Sequence, residues 1–139
     1  AGGGGTTKTY FYMSLNGGSS TDPNEVIQIV VEDTEDSDGT PVSRKIYGLN
    51  NSGVALREVT IEDPTAGTLV AWCKSVILDE DLRVTERRLP SAHTLVNTDG
   101  EVETFLDPYD ASTPSWSNDT TTLNDNDGVI YTYEYNANN

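Results

Sequence analysis

Few side chains in this sequence could do chemistry. His93 is the one histidine and Cys73 the one cysteine. An imidazole base needs a nucleophile within hydrogen-bond reach and an acceptor that orients its ring, and no spacing in the chain assigns either to His93. Gly-x-Ser-x-Gly, glycine-rich phosphate loops and His-Glu-x-x-His are absent. With 23 acids in the chain, a pair of carboxylates close enough for glycoside hydrolysis is expected by chance and carries no weight. The inventory reads as non-enzymatic, with no catalytic and no cofactor-binding residue to assign. Cys73 ends the apolar run Leu69-Val70-Ala71-Trp72-Cys73, where a buried structural thiol is the ordinary reading because no histidine or basic pair flanks it. The same run predicts Trp72 in the core, whereas Trp116 lies in the polar sequence Ser115-Trp116-Ser117 and is expected outside it.

Two acidic segments invite comparison with calcium loops, since hard cations take clustered carboxylate and carbonyl oxygens. Residues 32–39 (Glu-Asp-Thr-Glu-Asp-Ser-Asp-Gly) and 125–128 (Asp-Asn-Asp-Gly) both close on Asp-Gly. Neither is complete. An EF-hand register would put Thr34 or Leu123 at the first ligand position, and strands rather than helices should flank both. Solvated Asp-Gly turns account for them, so no metal ligands are assigned and weakly bound calcium is the one cofactor left open. Asn50-Asn51-Ser52 and Asn118-Asp119-Thr120 match the N-glycosylation pattern, at about chance frequency in so Asn- and Thr-rich a chain.

Charge narrows the partners. A formal net charge of −15 repels phosphate backbones, which excludes a direct grip on nucleic acid. No apolar run approaches the ~20 residues that span a bilayer, and no membrane partner is expected. Three of the eight basic residues, Arg83, Arg87 and Arg88, lie together and read either as partners of nearby acids such as Asp79 and Asp81 or as a docking point for an acidic partner, including another copy of the chain. Aromatic residues gather at the ends: Tyr10-Phe11-Tyr12 follows a glycine-rich arm, and Tyr131, Tyr133 and Tyr135 alternate near the C-terminus. If first and last strands pair, these rings form a cross-strand ladder; at an edge they become a contact surface for strand addition.

The elements that must position these groups are strands. Val, Ile and Thr number 36 whereas Ala, Lys, Gln and Met number 12, and branched side chains pack well on a pleated surface but lose rotamer freedom on a helix. Alternation predicts strands at residues 10–15, 25–31, 42–47, 54–62 with a face switch of the kind a bulge makes, 68–78, 82–89, and 129–135, with a hairpin joining 93–96 to 101–106. Residues 64–77 also match helical spacing behind Asp63-Pro64, so one short helix is the alternative there. Residues 1–9 read as a flexible arm and 10–139 as a single domain with a long polar loop at 107–127.

The fold expected is all-β: an antiparallel sandwich or flattened barrel of about eight to nine strands. In this combination, a short, acidic, disulfide-free β domain with a flexible arm, the chain resembles the small structural proteins of tailed-bacteriophage virions, and most of all the capsid decoration or cement type. Ala1 as first residue fits removal of an initiator methionine, as in such proteins, and equally removal of a signal. The resemblance implies a non-enzymatic subunit located in the virion that binds itself, the major capsid protein or other shell subunits, with the residues 10–12, 83–88 and 131–135 named above as contacts. A phage tail-tube protein, whose acidic lumen lets DNA slide, is one alternative. An extracellular β-sandwich module for carbohydrate binding or adhesion, stacking sugars on Trp72, Trp116 and the tyrosines, is the other.

Overall fold

The computed structural model describes residues 5–66, 70–94, 122–123 and 128–136. Seven antiparallel strands form one sheet: β1 (Thr7–Ser14), β2 (Gln28–Glu35), β3 (Pro41–Leu49), β4 (Ala55–Ile61), β5 (Ala71–Leu78), β6 (Val84–Arg88) and β9 (Ile130–Thr132). Each strand through β6 pairs with the next in sequence, and β9 then adds to β6. Two further strands, β7 (His93–Thr94) and β8 (Thr122–Leu123), pair only with each other. The all-β expectation holds, but the sheet is open, neither sandwich nor barrel among the described residues. Six antiparallel steps leave β1 and β9 running the same way, so closing the sheet would need a parallel pair between strands of unequal length.

One face of the sheet carries the core. Val31, Ile46, Val59 and Cys73 stand side by side on β2 to β5, all at 0% exposure, with Phe11 of β1 at the end of the row. Beside it, Asp33 and Arg44 face each other across β2 and β3 on the same side. Arg44 Nε donates to Asp33 Oδ1 at 2.6 Å and Nη2 to Oδ2 at 3.0 Å, a planar two-point pairing that satisfies both buried charges. Three single-residue bulges adjust the alternation. The extra residues are Val42 on β3, Leu56 on β4 and Thr85 on β6, each close to its hairpin turn. Leu56 is therefore buried with Val59 and Ile61 although strict alternation would send it outward, which is the face switch expected within 54–62.

Three of those hairpins share one turn. At Asp36, Asn50 and Asp79 the side-chain Oδ1 accepts N–H groups from two and four residues ahead, and the N–H three residues ahead donates to the same residue's carbonyl. That third residue adopts positive φ: Gly39 at 79°, Gly53 at 78° and Leu82 at 63°. Short polar side chains that mimic a backbone acceptor explain why Asx opens each turn.

The strands differ in detail from the alternation-based expectation. β1 begins at Thr7, so the last three residues assigned to the arm belong to the sheet, where they pair with Asp33, Thr34 and Glu35. β2 runs on through Glu35, which turns half of the supposed acidic loop into strand, because its alternate residues Val31 and Asp33 face the core. Residues 71–78 are strand β5, not helix, as their branched side chains favour. His93–Thr94 pairs with Thr122–Leu123, and β9 covers three residues of the expected 129–135. The rest of the polar loop at 107–127, and of the hairpin's second arm, lies outside the described residues.

The segment between β1 and β2 folds across the sheet's upper end and locks it. Asn24 Nδ2 donates to the Leu78 carbonyl at 2.9 Å and its Oδ1 accepts the Leu78 N–H at 2.8 Å, as one more strand would. Asn50 Nδ2 donates to the Pro23 carbonyl, and Ile27 N–H to that of Leu49. Val26 then packs on Gly48, where an added Cβ would meet Val26 Cγ2 at 3.0 Å and Cγ1 at 3.2 Å. A Gly48→Ala chain should accordingly lose about 1–3 kcal/mol of stability in urea melts. Val26→Ala, costly alone, should cost less in the Gly48→Ala background, since it removes the colliding methyls; strictly additive losses would show the contact to be loose.

Candidate interaction surface

The face opposite the core is a polar and aromatic plane. Across β1 to β5 one row reads Tyr10, Glu32, Lys45, Thr60, Trp72 and the next Tyr12, Val30, Tyr47, Glu58, Lys74. Lys8 pairs with Glu32 at 3.3 Å, and Glu58 bridges Lys45 at 3.5 Å and Lys74 at 3.1 Å. These lysines are solvent-exposed, so each pair contributes about 0–1 kcal/mol and fixes local geometry more than stability. Tyr10 donates to Glu32, which raises its hydroxyl pKa, and partial burial followed by the Glu32 and Glu58 charges raises that of Tyr47. At neutral pH the tyrosines are neutral donors on an otherwise anionic molecule. A shallow groove of about 400 Å³ opens on this plane between Lys45, Glu58, Thr60, Trp72, Lys74 and Pro90.

β1 bounds the plane on one side. Tyr10 and Tyr12 are 52% and 61% exposed, and even Phe11, on the core side, keeps 36%. Among the described residues β1 has a single neighbouring strand, β2. The tyrosines near the C-terminus lie at the other edge, so the two aromatic sets form no ladder. Tyr131 sits on β9 opposite Arg87, Tyr133 N–H donates to the Thr85 carbonyl, and Tyr135 Oη donates to that of Val84 at 2.7 Å. All three remain exposed.

The three arginines do not form one patch. Arg83 belongs to the turn before β6, where it pairs with Asp79 at 2.9 Å and Asp81 at 3.3 Å and stacks on the Tyr135 ring, 4.6 Å from its centroid. That is the intramolecular pairing foreseen for it, with Asp79 held below the usual carboxylate range chiefly by the Arg83 N–H. Arg88 turns to the core side beside Ser75 and binds Glu86 at 2.6 Å. Arg87 alone is exposed, and it makes no ion pair among the described residues. The bulge at Thr85 is what moves Arg83 out of the alternation that sequence spacing assumed.

His93 meets Ser75, 2.9 Å from Nε2 to Oγ, which brings the chain's one imidazole within reach of a hydroxyl. It is poorly equipped for catalysis. Burial, then the charges of Arg57 and Arg88, push the imidazole down to about 4, too weak a base for neutral pH. Nδ1 is buried with no acceptor among the described residues to orient the ring, and Ser75 is itself buried. Cys73, pushed up to about 12 by burial, is the inert thiol that its apolar run suggested. Trp72 corrects the same reasoning. Its neighbour Cys73 takes the core side, so alternation places Trp72 on the outer plane at 38% exposure.

Among the described residues no three His, Cys, Asp or Glu side chains come together to hold a metal, and no helix is long and apolar enough to cross a membrane. Residues 125–127 of the second acidic segment, and Asn118 and Trp116, lie outside the described residues. Asn50 is 3% exposed with its amide engaged in the turn, so the first glycosylation match is closed to a glycosyl donor in the folded chain. No family model, no curated protein and no solved structure matches this chain.

Two outcomes check this description. In a Trp116→Phe chain, leaving Trp72 as the sole tryptophan, emission should be red-shifted and readily quenched by iodide; blue, unquenched emission would put Trp72 in the core. His93 predicts a pH response with a definite sign. Its folded pKa lies below the unfolded value near 6.5, so the unfolded chain binds more protons, and stability should fall as pH drops from about 6.5 toward about 4. Between pH 6.5 and 5 a His93→Gln chain should lose less stability than the parent; identical slopes would show an exposed ring.

Proposed function

We propose that this chain is a non-enzymatic structural subunit of a larger assembly, of the virion decoration or cement kind, attached to neighbouring shell subunits through β1 and the aromatic plane beside it. The observation that carries this reading is the first edge, which is open among the described residues. A long strand with exposed aromatics on both faces is a template for strand addition, and proteins that remain solitary blunt such edges with charge, proline or bulges. β1 has no proline and no bulge, and Lys8 is its only charge. The charge pattern agrees: residues 1–21 contain no acid although the whole chain carries −15. The neutral edge lets other acidic subunits approach, while the remaining surface keeps the protein dispersed at high local concentration.

The groove around Trp72 favours a second reading, a carbohydrate-binding module. An exposed indole ringed by Lys45, Glu58, Thr60 and Lys74 offers a stacking surface with hydrogen-bonding groups at its rim. The two readings separate experimentally. Particles sedimented from the natural source should contain this chain in fixed ratio to their shell protein. A Tyr10→Ser/Tyr12→Ser chain should stay folded yet be lost from them. If the wild-type chain is found only in the particle-free fraction, and a glycan array shows binding that Trp72→Ala abolishes, the second reading replaces the first.

A further inference from the structure

We infer that β1 pairs with β1 of a second copy about a two-fold axis through Phe11, joining two seven-stranded sheets into one continuous sheet. This names the first partner in the assembly reading and rests on it. Backbone direction supplies the geometry. Leu15 N–H donates to the Ile27 carbonyl at 2.7 Å, and Asp36 N–H to that of Thr40 at 2.9 Å, so odd-numbered residues of β2 face β1 and even-numbered ones face β3. Through their direct pairing, odd residues of β1 turn their N–H and C=O groups into the sheet, and those of Lys8, Tyr10, Tyr12 and Ser14 point to the open edge.

A two-fold axis perpendicular to the sheet keeps core side with core side, so only residues of like parity can oppose each other. The registers centred on Tyr10 and on Phe11 each use seven of the eight residues of β1, and the second brings the two Phe11 side chains together. It sets Tyr10 against Tyr12 of the partner in hydrogen-bonded pairs on the outer plane, and Phe11 against the partner's Phe11 in a non-hydrogen-bonded pair. The second contact continues the buried row Cys73, Val59, Ile46, Val31 past the point where Phe11 leaves it exposed. Charge selects a copy of the same chain. Elsewhere two molecules at −15 repel, but β1 meets its own image with one lysine and no acid on either side. The far edge cannot substitute: β9 has three residues, and joining it to β1 head to tail would make a parallel pair.

The test uses the purified full chain. Sedimentation equilibrium should give about twice the monomer mass. Tyr12→Pro removes an N–H that points away from β2, so it should leave the circular dichroism and melting midpoint close to the parent while the mass falls twofold. Tyr10→Lys/Tyr12→Lys should do the same without altering the backbone. Phe11→Cys should form a disulfide-linked dimer under mild oxidation, because directly opposed residues of a non-hydrogen-bonded pair lie within disulfide range; Ser14→Cys should not. The buried Cys73 is out of reach of this reaction. A parent chain that stays monomeric and yields no Phe11→Cys cross-link overturns the inference. So does a dimer that persists in both β1 variants. A monomer still found in sedimented particles would overturn the self-pairing alone and leave the assembly reading standing, whereas a dimer absent from particles would do the reverse.

Discussion

This sheet buries one of its faces, and nearly everything in the described structure follows from keeping one set of side chains on that face. Val31, Ile46, Val59 and Cys73 reach complete burial because four consecutive strands present them in exact lateral register. A slip of one residue would send the whole set to solvent, so register must be held at both ends of the strands. The recurring turn opened by Asp36, Asn50 and Asp79 does this from within each hairpin, and the bulges beside it restore the parity that a five-residue turn disturbs. Across the sheet, Asn24 and Asn50 tie the segment between β1 and β2 to strands far from it in sequence.

The buried pair Asp33 and Arg44 belongs to the same device. Two charges withdrawn from water contribute little net stability, but a register that separated them would strand both. Their pairing therefore penalises wrong alignments of β2 on β3 more than it strengthens the right one. Leu82 is the cost of the design. It occupies at φ 63° the position that Gly39 and Gly53 fill elsewhere, and a side chain there carries about 1–2 kcal/mol of strain.

One-sided burial also explains why function is read from the outer plane and the edge rather than from a cleft. Where a serine and histidine meet, the serine is buried and the half-buried imidazole is pushed down by desolvation, which leaves it a weak base at neutral pH. Among the described residues the accessible surfaces include a plane of tyrosine, tryptophan and salt-bridged lysine, and an edge strand with little to deter another strand. Binding in either place depends on shape and on relief from the molecule's own charge. An acid-free stretch of residues 1–21 next to 23 acids distributed beyond it is an electrostatic asymmetry built into the covalent chain.

Composition and alternation by themselves determined that this chain is built of strands, that Cys73 is buried, and that a bulge interrupts residues 54–62. These are local properties: branched side chains and a period of two act within a few positions of one another. Tertiary structure decided the rest. Trp72 and Cys73 share one apolar run, and only pairing with β4 determines which of two adjacent side chains enters the core. Arg83 and Arg87 look like residues of one face until a turn and a bulge at Thr85 separate them. Whether the terminal tyrosines meet depended on strand order, which no local pattern encodes. Placing β1 and β9 at opposite edges left the first strand with one neighbour among the described residues, and its other side is the surface through which the protein is proposed to assemble.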